Sequence, residues 1–378
     1  MRSFMLLIKP AGPDCNLDCR YCFYSGKASR FGSGAHRMSE DVLEAMVRDY
    51  LGLGFPVNNF AWQGGEPTLM GLDFFRRVME LQQQYGQDGQ AVGNALQTNG
   101  ILLDSKWCRF LHDYNFLLGI SLDGPQHLHD HYRRTRGGKG TYEQVMTGIV
   151  HCRAHRVEFN VLVLLNDRNV AAPDELFDFF VEQEFLFLQF IPCVEKDSKT
   201  NQPTEYSITP QQYGDFLCRI FDRWMEYGPD KLSIRLFDSV MSYYVNGRHS
   251  NCTFGPRCDD YVVVEHNGDV FCCDFYVEDK WRLGNLLDKP VGELYGSERK
   301  REFARRKTKV SNKCFICRYF PVCRGGCPKD REVLSGDAKA LNYYCASYKQ
   351  FFDHASTTLM QLPGQYHQSR DKGHNKGR

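Results

Sequence analysis

Three cysteines near the start of the chain limit its possible folds more than any other feature. Cys15, Cys19 and Cys22 have the spacing C-x3-C-x2-C and follow an apolar stretch at residues 4–8. Three closely spaced thiolates can bind three irons of a 4Fe-4S cube, and no fourth cysteine lies nearby, so one iron keeps an open coordination position. The spacing therefore predicts a cluster-binding loop at which chemistry takes place.

A zinc knuckle or an incomplete structural metal site is the alternative explanation of the same cysteines. Structural zinc sites usually have four protein ligands. The first histidine of the chain is His36, which is too far along the sequence to complete a knuckle. The spacing therefore favours the cluster over zinc.

The overall composition is that of an ordinary globular protein and argues against several classes of function. With 378 residues, 42% of them hydrophobic and 25% charged, the chain is long enough for two or three domains. A formal charge of +1 argues against a broad nucleic-acid surface. No apolar stretch approaches a membrane span, and the run that begins at Phe4 ends at Lys9, too early for a signal peptide. We expect a cytoplasmic protein with neither nucleic acid nor membrane as a partner.

Sixteen cysteines in a chain without an export signal indicate metal binding rather than disulfides, because the cytosol keeps thiols reduced. They are clustered, with three at 15–22 and nine at 252–345. The scattered remainder are expected to be buried packing residues, namely Cys108, Cys152, Cys193 and Cys218.

Residues 1–230 alternate short apolar runs with amphipathic stretches, which predicts repeated β-α units of the α/β class. The predicted strands cover residues 4–8, 59–63, 92–98, 117–122, 158–165 and 186–191, and the predicted helices cover residues 40–53, 72–85, 104–114, 142–154, 174–183 and 210–226. Six units are too few for a closed eightfold barrel, so we expect a partial (β/α)6 barrel whose open side admits a polypeptide.

Polar motifs follow the first four predicted strands. After the cysteine run come Gly64 and Gly65, then Asn99, then Ser121. Functional residues of such folds collect at the carboxyl ends of the strands, so these motifs are expected to share one rim. The glycine pair lets backbone approach a ligand closely.

The nine later cysteines are enough for two further clusters. Two cubanes with complete protein ligation need eight thiolates. The adjacent pair Cys272 and Cys273 is expected to contain the surplus, because neighbouring side chains diverge. Two zinc sites of a ribbon or treble-clef type fit this segment equally well when it is taken alone.

The first cysteine run resembles the signature of radical S-adenosylmethionine (SAM) enzymes, and the later cysteines resemble their SPASM extension. In that superfamily the amino and carboxyl groups of SAM occupy the open iron, and an electron from the cluster cleaves SAM to methionine and a 5'-deoxyadenosyl radical. The chain is most similar to the anaerobic sulfatase-maturating enzymes, up to about residue 355. The similarity includes residues 6–10, 63–67, 96–100, 274–276, 279–285 and 341–345.

The resemblance implies domains and cofactors. It implies a radical SAM partial barrel at residues 1–230 and a SPASM domain at 231–355 that binds two auxiliary clusters. A polar, basic tail at 356–378 is expected to be disordered. The implied cofactors are three 4Fe-4S clusters and SAM.

The resemblance also assigns ligands by position. Cys15, Cys19 and Cys22 would hold the SAM cluster; one auxiliary cluster would take Cys252, Cys258, Cys273 and Cys327, and the other Cys314, Cys317, Cys323 and Cys345. Cys272 stays a non-ligand. Tyr21, Gly65, Ser121, Arg133 and Val194 would line the SAM site, Val194 through its backbone alone.

The implied reaction converts a cysteine or serine of a sulfatase to Cα-formylglycine. Asp274, which follows Cys273, matches the family's catalytic base and would take the thiol or hydroxyl proton. Tyr24, Gln63 and Asp279 are weaker candidates for holding the peptide. The implied partners are an unfolded or nascent sulfatase polypeptide and an electron donor such as flavodoxin or ferredoxin.

Two other functions compete with this one. A SPASM maturase could instead crosslink a small ribosomal peptide through a thioether or carbon–carbon bond. Such enzymes often have an additional peptide-recognition domain, and the first predicted strand begins here at Phe4. A non-catalytic zinc-binding interaction protein would show no reductive cleavage of SAM.

Overall fold

The computed structural model describes residues 2–374, with side chains described through Leu362. The chain divides into two compact units. The first contains Met1–Leu162 and Cys258–Arg306, and the second contains Val163–Arg257 and Lys307–Arg378.

Ten strands and fifteen α-helices are present in the described residues. The strands are β1 (Met5–Lys9), β2 (Val57–Trp62), β3 (Ala91–Thr98), β4 (Leu117–Ser121), β5 (Phe159–Leu165), β6 (Phe187–Pro192), β7 (Ser233–Ile234), β8 (Tyr261–Glu265), β9 (Asp269–Phe271) and β10 (Arg282–Asn285). The helices are α1 (Ala28–Phe31), α2 (Glu40–Leu51), α3 (Gly71–Tyr85), α4 (Ser105–Asp113), α5 (Gln126–Tyr132), α6 (Tyr142–Ala154), α7 (Pro173–Glu182), α8 (Pro210–Tyr227), α9 (Arg235–Asn246), α10 (Val291–Tyr295), α11 (Glu298–Arg306), α12 (Asn312–Phe315), α13 (Phe320–Cys323), α14 (Pro328–Ser335) and α15 (Cys345–His374).

The first unit is built on a mixed sheet with the strand order β10-β9-β8-β1-β2-β3-β4-β5. Strands β1 to β5 are parallel, and β1 has parallel neighbours on both sides, with Leu6 opposite Phe60 of β2 and Val262 of β8. Strand β9 runs antiparallel between β8 and β10. Because β1 lies between β2 and β8, the strand that leads into the cysteine loop is hydrogen-bonded on both edges.

Helices cover the sheet of the first unit with apolar faces. Helix α2 begins after Ser39, whose hydroxyl accepts a hydrogen bond from the Val42 amide, and it buries Leu43, Met46 and Val47. Aromatic rings fill the space between α3 and the sheet, and Trp62 packs edge to face on Phe75.

The second unit combines the short parallel pair β6 and β7 with packed helices. Helix α8 packs against α7 and α15, and α15 also packs against α9. The core between these helices is aromatic, with Phe237 stacked on Phe351 and packed against Trp224. Thr209 and Gln212 form a capping box at the start of α8.

The α/β class and the six β-α units are confirmed, and each predicted strand lies within two residues of an observed one. The division into domains at residues 230 and 355 stays a prediction. The tail predicted to be disordered, residues 356–378, begins inside α15, and its last four residues lie outside the described part. Within residues 2–374, no helix combines the length and the hydropathy needed to cross a membrane.

Candidate active site

The three N-terminal cysteines lie in the loop that leaves the carboxyl end of β1. Two backbone contacts join this loop to the segment after α5, since Leu17 pairs with Thr135 and the Asp18 amide donates to the Arg134 carbonyl at 2.8 Å. Burial raises the pKa of Cys15 to about 11 and that of Cys19 to about 12. These thiols therefore need a metal to become thiolates near neutral pH.

The loop after β2 packs directly against the residues that precede Cys15. The Gly65 amide donates to the Gly12 carbonyl at 2.9 Å, and the Glu66 amide donates to the Asp14 carbonyl at 2.7 Å. A Cβ atom on Gly65 would lie 1.9 Å from the Asp14 carbonyl oxygen. Only glycine fits here, because any side chain would displace the backbone that leads to the cysteines.

Glu66 follows β2, is fully buried and hydrogen-bonds to residues at the end of β3. Its carboxylate accepts hydrogen bonds from the backbone and hydroxyl of Thr68, the Thr98 hydroxyl and the Asn99 amide, at 2.7–3.0 Å. Burial raises its pKa, and these four donors oppose the rise. The Asn99 side chain then reaches the loop of β1, donating to Asn16 Oδ1 at 2.7 Å and lying 3.8 Å from Cys15 Sγ.

Tyr21 and Arg133 form a buried polar group near the end of β4. The Tyr21 hydroxyl donates to Asp123 and accepts from Arg133 Nη1 at 3.1 Å. The Nε of Arg133 is buried without a hydrogen-bond partner among the described residues. His129 supports the same segment in its neutral form, because burial lowers its pKa and its Nδ1 accepts from the Asp123 amide.

Three of these features fit the predicted cofactors. The thiols supply a donor set for three irons, Gly65 lets the loop after β2 pack against the backbone that leads to the cysteines, and the buried Nε of Arg133 is a donor that an anionic ligand can satisfy. Ser121 ends β4 in the same unit. In the described residues no three His, Cys, Asp or Glu side chains are grouped so that they could bind a single metal ion.

Val194 lies in the second unit and is fully buried. Its carbonyl accepts from Lys329 Nζ, which also pairs with Glu195 at 2.8 Å. This backbone oxygen is therefore held in place by a buried lysine, in agreement with a role that does not use the side chain.

Asp274 lies immediately after β9 and is held by a tyrosine. The Tyr261 hydroxyl is 2.9 Å from Asp274 Oδ1 and 3.0 Å from Cys273 Sγ. Asp274 Oδ1 is itself 3.5 Å from that sulfur. The predicted base Asp274 and the predicted cluster ligand Cys273 are therefore both within hydrogen-bond distance of the Tyr261 hydroxyl.

A second buried carboxylate lies at the end of β8. Glu265 accepts the Tyr24 hydroxyl at 2.7 Å, and burial raises the pKa of Glu265 to about 7. Lys9, paired with Glu265 across β1 and β8, places its Nζ 3.9 Å from the centre of the Tyr24 ring. Tyr24, predicted to hold the peptide, is itself 98% buried and bonded to Glu265.

The two other weak candidates differ in position. The Gln63 amide donates to the Ile8 carbonyl at 2.8 Å, which places this residue beside the end of β1. Asp279 is largely exposed and pairs with Arg30 at 2.5 Å. A cleft of about 410 Å³ lies beside Cys15, with Asp14, Arg37 and Arg136 among the residues that line it.

The adjacent cysteines 272 and 273 touch the same hydrophobic cluster but differ in exposure and in polar contacts. Cys272 is 1% exposed and packs against Trp281 and Phe303, and burial raises its pKa to about 12. Cys273 is only partly buried and faces Tyr261 and Asp274. This difference supports the prediction that Cys273 is the ligand and Cys272 a packing residue.

The other predicted auxiliary ligands are Cys258 in the first unit and Cys252, Cys314, Cys317, Cys323, Cys327 and Cys345 in the second. Burial raises the pKa of Cys323 to about 11, and Cys345 and Cys314 contribute to the rise, so these three thiols are neighbours. Buried Lys307 donates to the carbonyls of Cys252 at 3.2 Å and Gly326 at 2.7 Å, which brings these two cysteine-bearing segments together.

Several residues of the site were not predicted individually. Glu66 and Asn99 lie inside polar motifs that are recognisable in the sequence. Those motifs did not predict the hydrogen bonds by which the two side chains position the loop after β1. Tyr261 and Glu265 have no local sequence signal, because their partners are distant in the chain or depend on strand register.

Two family models match the chain. The Radical SAM superfamily model matches residues 10–180, and the SPASM model, an iron-sulfur cluster-binding domain, matches residues 252–318.

Similar proteins match along nearly their whole length. The cysteine-type anaerobic sulfatase-maturating enzyme of Clostridium perfringens is 38% identical over 96% of this chain and 99% of its own. The serine-type anaerobic sulfatase-maturating enzyme of Bacteroides thetaiotaomicron is 36% identical over 94% of this chain and 90% of its own. A solved structure of native anSMEcpe with bound AdoMet and Cp18Cys peptide has a TM-score of 0.88 and 38% identity, and it covers 96% of this chain and 99% of that chain.

Proposed function

The chain belongs to the anaerobic sulfatase-maturating enzymes of the radical SAM superfamily, and from this premise we propose how its own residues act in the reaction. It is an enzyme that oxidises a cysteine or serine side chain of a sulfatase to Cα-formylglycine, with SAM and three 4Fe-4S clusters as cofactors. The alternative, a maturase that crosslinks a ribosomal peptide, is not favoured, because the sulfatase-maturating relatives match over nearly the full length of the chain.

Cys15, Cys19 and Cys22 hold the SAM cluster in this proposal. Glu66 and Asn99 keep the loop after β1 against the ends of β2 and β3, so the cysteines are presented by a fixed backbone. Two sets of four cysteines hold the auxiliary clusters, namely Cys252, Cys258, Cys273 and Cys327, and Cys314, Cys317, Cys323 and Cys345. When bound, these groups together with SAM remove a hydrogen atom from the substrate β-carbon and take up one electron.

Five residues line the SAM site: Tyr21, Gly65, Ser121, Arg133 and Val194. Gly65 allows close approach of the backbone, and Arg133 offers a buried Nε that needs an acceptor. Tyr21 and Asp123 hold the guanidinium of Arg133 in place, so that this donor is oriented before SAM binds. Val194 contributes backbone alone.

Asp274 takes the proton of the substrate thiol or hydroxyl. The observation that carries this assignment is its fixed position, with Oδ1 2.9 Å from the Tyr261 hydroxyl and beside Cys273. A cysteine substrate gives up one hydrogen atom, one proton and one electron to become a thioaldehyde, and water then replaces the sulfur, which leaves as hydrogen sulfide. A serine substrate gives the aldehyde directly.

The partner is a sulfatase, and we assign its unfolded or nascent chain as the form that binds, since the target side chain must enter the site. The first electron has to come from outside the protein, and a flavodoxin or ferredoxin is the proposed donor. In the cleft beside Cys15, Arg37 pairs with Asp14 at 2.7 Å, and Arg136 adds a positive charge suited to an acidic redox protein.

The test is anaerobic incubation of the reconstituted enzyme with SAM, a reductant and matched sulfatase-motif peptides that carry cysteine or serine. We expect mass spectrometry to show that the cysteine peptide loses sulfur and two hydrogens and gains oxygen, or that the serine peptide loses two hydrogens. Abundant deoxyadenosine with both peptides unchanged would contradict the proposal.

A further inference from the structure

The Tyr261 hydroxyl lies within hydrogen-bond distance of both the predicted base and a predicted cluster ligand. It lies 2.9 Å from Asp274 Oδ1 and 3.0 Å from Cys273 Sγ. A phenol has a single hydrogen to donate, and the Asp274 carboxylate and the Cys273 thiolate of a bound cluster would both accept it.

Strand register explains why these groups meet. In the β8–β9 hairpin Val263 pairs with Phe271 and Val264 pairs with Val270. Continued by two residues, the same register puts Tyr261 opposite Cys273. The Tyr261 ring packs on the cluster that contains Val263 and Phe271, so side chains on this face of the hairpin are neighbours.

A buried lysine holds the backbone on both sides of this contact. Lys300 of α11 is 2% exposed, and its Nζ donates to the Tyr261 carbonyl at 2.6 Å and to the Cys272 carbonyl at 3.0 Å. A buried ammonium in such contacts is costly to displace. The distance between the Tyr261 ring and the Cys273–Asp274 backbone is therefore fixed before any substrate binds.

We propose that Tyr261 is a positioning residue that orients the Asp274 carboxylate and hydrogen-bonds the Cys273 sulfur of the auxiliary cluster. The inference rests on the proposed function, which assigns Asp274 as the base and Cys273 as a ligand. Hydrogen bonds to cluster sulfurs stabilise the reduced state, because the added charge is spread over the sulfurs. Tyr261 therefore has two effects on the reaction. It keeps the proton acceptor Asp274 in a fixed orientation, and it makes the cluster bound at Cys273 easier to reduce.

The transfer of the substrate proton to Asp274 changes which acceptor the phenol prefers. A protonated carboxyl group accepts a hydrogen bond less strongly than a carboxylate, while the sulfur of a reduced cluster accepts more strongly. The Tyr261 hydrogen then favours Cys273 Sγ. No atom or electron is gained or lost by Tyr261 in this change.

The test is Tyr261→Phe in the reconstituted enzyme, since the ring stays and only the hydroxyl is removed. We expect unchanged iron and sulfide content, and EPR-monitored redox titration in which one of the three cluster potentials becomes more negative while the other two stay. With the cysteine peptide, kcat for aldehyde formation should fall about 10- to 100-fold. The KM for the peptide should be unchanged, and SAM cleavage should continue.

Tyr295→Phe is the matched control, because the Tyr295 hydroxyl donates to the backbone carbonyl of Asp259 in the same unit. It should leave all three potentials and the ratio of aldehyde to deoxyadenosine at wild-type values. Unshifted potentials in iron-replete Tyr261→Phe would overturn the proposal. Wild-type enzyme that cleaves SAM but leaves both peptides unchanged, while Tyr261→Phe still shifts one potential, would instead reject the proposed function.

A loss of iron in Tyr261→Phe would call for a second variant, with fluorinated tyrosine at position 261. A fluorinated phenol keeps the ring and hydroxyl and donates its hydrogen more strongly, so the same cluster potential should become more positive. An unchanged or more negative potential there would overturn the proposal as well.

Discussion

The residues that matter most at this site are buried and charged, and each is held by specific polar neighbours. Glu66 has four donors, Glu265 has Tyr24, and Arg133 has Tyr21. A buried carboxylate without such donors would be neutral or would unfold the site, since burial disfavours the charged form. The removal of a single hydrogen-bonding neighbour should therefore change the charge state or the orientation of these side chains.

Asp274→Asn should separate SAM cleavage from substrate oxidation. The amide keeps the size of the side chain and the contact with Tyr261 but cannot take up the substrate proton. We expect normal iron content and continued formation of deoxyadenosine, with aldehyde formation reduced at least about 100-fold. Product yields are measured by mass spectrometry, with Asp288→Asn as a control because that carboxylate is exposed in the same unit and has no proposed role in the site. Aldehyde formation near the wild-type rate would exclude Asp274 as the base.

Glu265→Gln should change how stability depends on pH. The pKa of Glu265 is raised from 4.5 to about 7 by burial, so its contribution to stability is fully present below pH 4.5 and is lost as the pH rises through 7. A shift of this size corresponds to about 3 kcal/mol. The variant, which is neutral at every pH, should therefore gain stability relative to wild type between pH 5 and pH 8.

Anaerobic thermal unfolding at both pH values measures this difference. The exposed carboxylate Glu293, which pairs with Lys289, provides the control Glu293→Gln. A difference between Glu265→Gln and wild type that does not change with pH would show that the Glu265 carboxyl titrates normally in the folded protein.

At the scale of elements, the loops at the carboxyl ends of the strands position the site by backbone contact. The loop after β2 donates two amide hydrogen bonds to the loop after β1, through Gly65 and Glu66. Helix starts are less regular. Thr141 and Gln144 have the spacing of a capping box, which predicts that Thr141 caps α6. This prediction is wrong, because the Thr141 hydroxyl donates to the Arg133 carbonyl while Asp130 accepts from the amides at the helix start.

Gly65→Ala should disrupt cluster binding at the N-terminal cysteines alone. The new Cβ would lie 1.9 Å from the Asp14 carbonyl oxygen, so the backbone before Cys15 has to move. We expect the purified variant to lose about a third of its iron, which corresponds to one cluster of three. The control is Gly26→Ala, where a Cβ has nothing within 4 Å. Iron analysis that gives wild-type content together with wild-type SAM cleavage would refute this prediction.

At the scale of the whole molecule, part of the later cysteine-rich region is built into the same compact unit as the N-terminal strands. Residues Cys258–Arg306 share a unit with Met1–Leu162, where β8 extends the sheet beside β1. Parallel pairing satisfies the backbone of β1 on both sides, and this strand is followed by the cysteine loop. Asp274 and Cys273 are thereby placed in the same compact unit as the SAM-cluster cysteines.

Removal of iron should lower the stability of the whole protein. Except for the exposed Cys252, the cysteines that would bind iron are partly or fully buried, and metal binding supplies folding free energy. Anaerobic treatment with a strong chelator should reduce the melting temperature by about 10 °C or more. Reconstitution with iron and sulfide should restore it, and an unchanged melting temperature after removal would show that the fold does not depend on the clusters.

The sequence by itself determined the class of fold and the chemistry. Periodicity placed six strands and their helices, because burial on one or both faces leaves a local pattern in the chain. The C-x3-C-x2-C run and the motifs at Gln63 and Asn99 indicated the cofactors, since thiolates and glycines at fixed spacing have few other uses.

Only the tertiary structure decided which distant groups meet. The pairing of β8 with β1, the phenol of Tyr261 between Asp274 and Cys273, and the support of Lys300 depend on register and packing between segments far apart in the chain. The same holds for Cys272, whose full burial against Trp281 and Phe303 distinguishes it from the partly buried Cys273 at the edge of the same cluster. The spacing of residues within a short segment cannot predict such contacts, because they depend on how distant strands pair when the sheet forms.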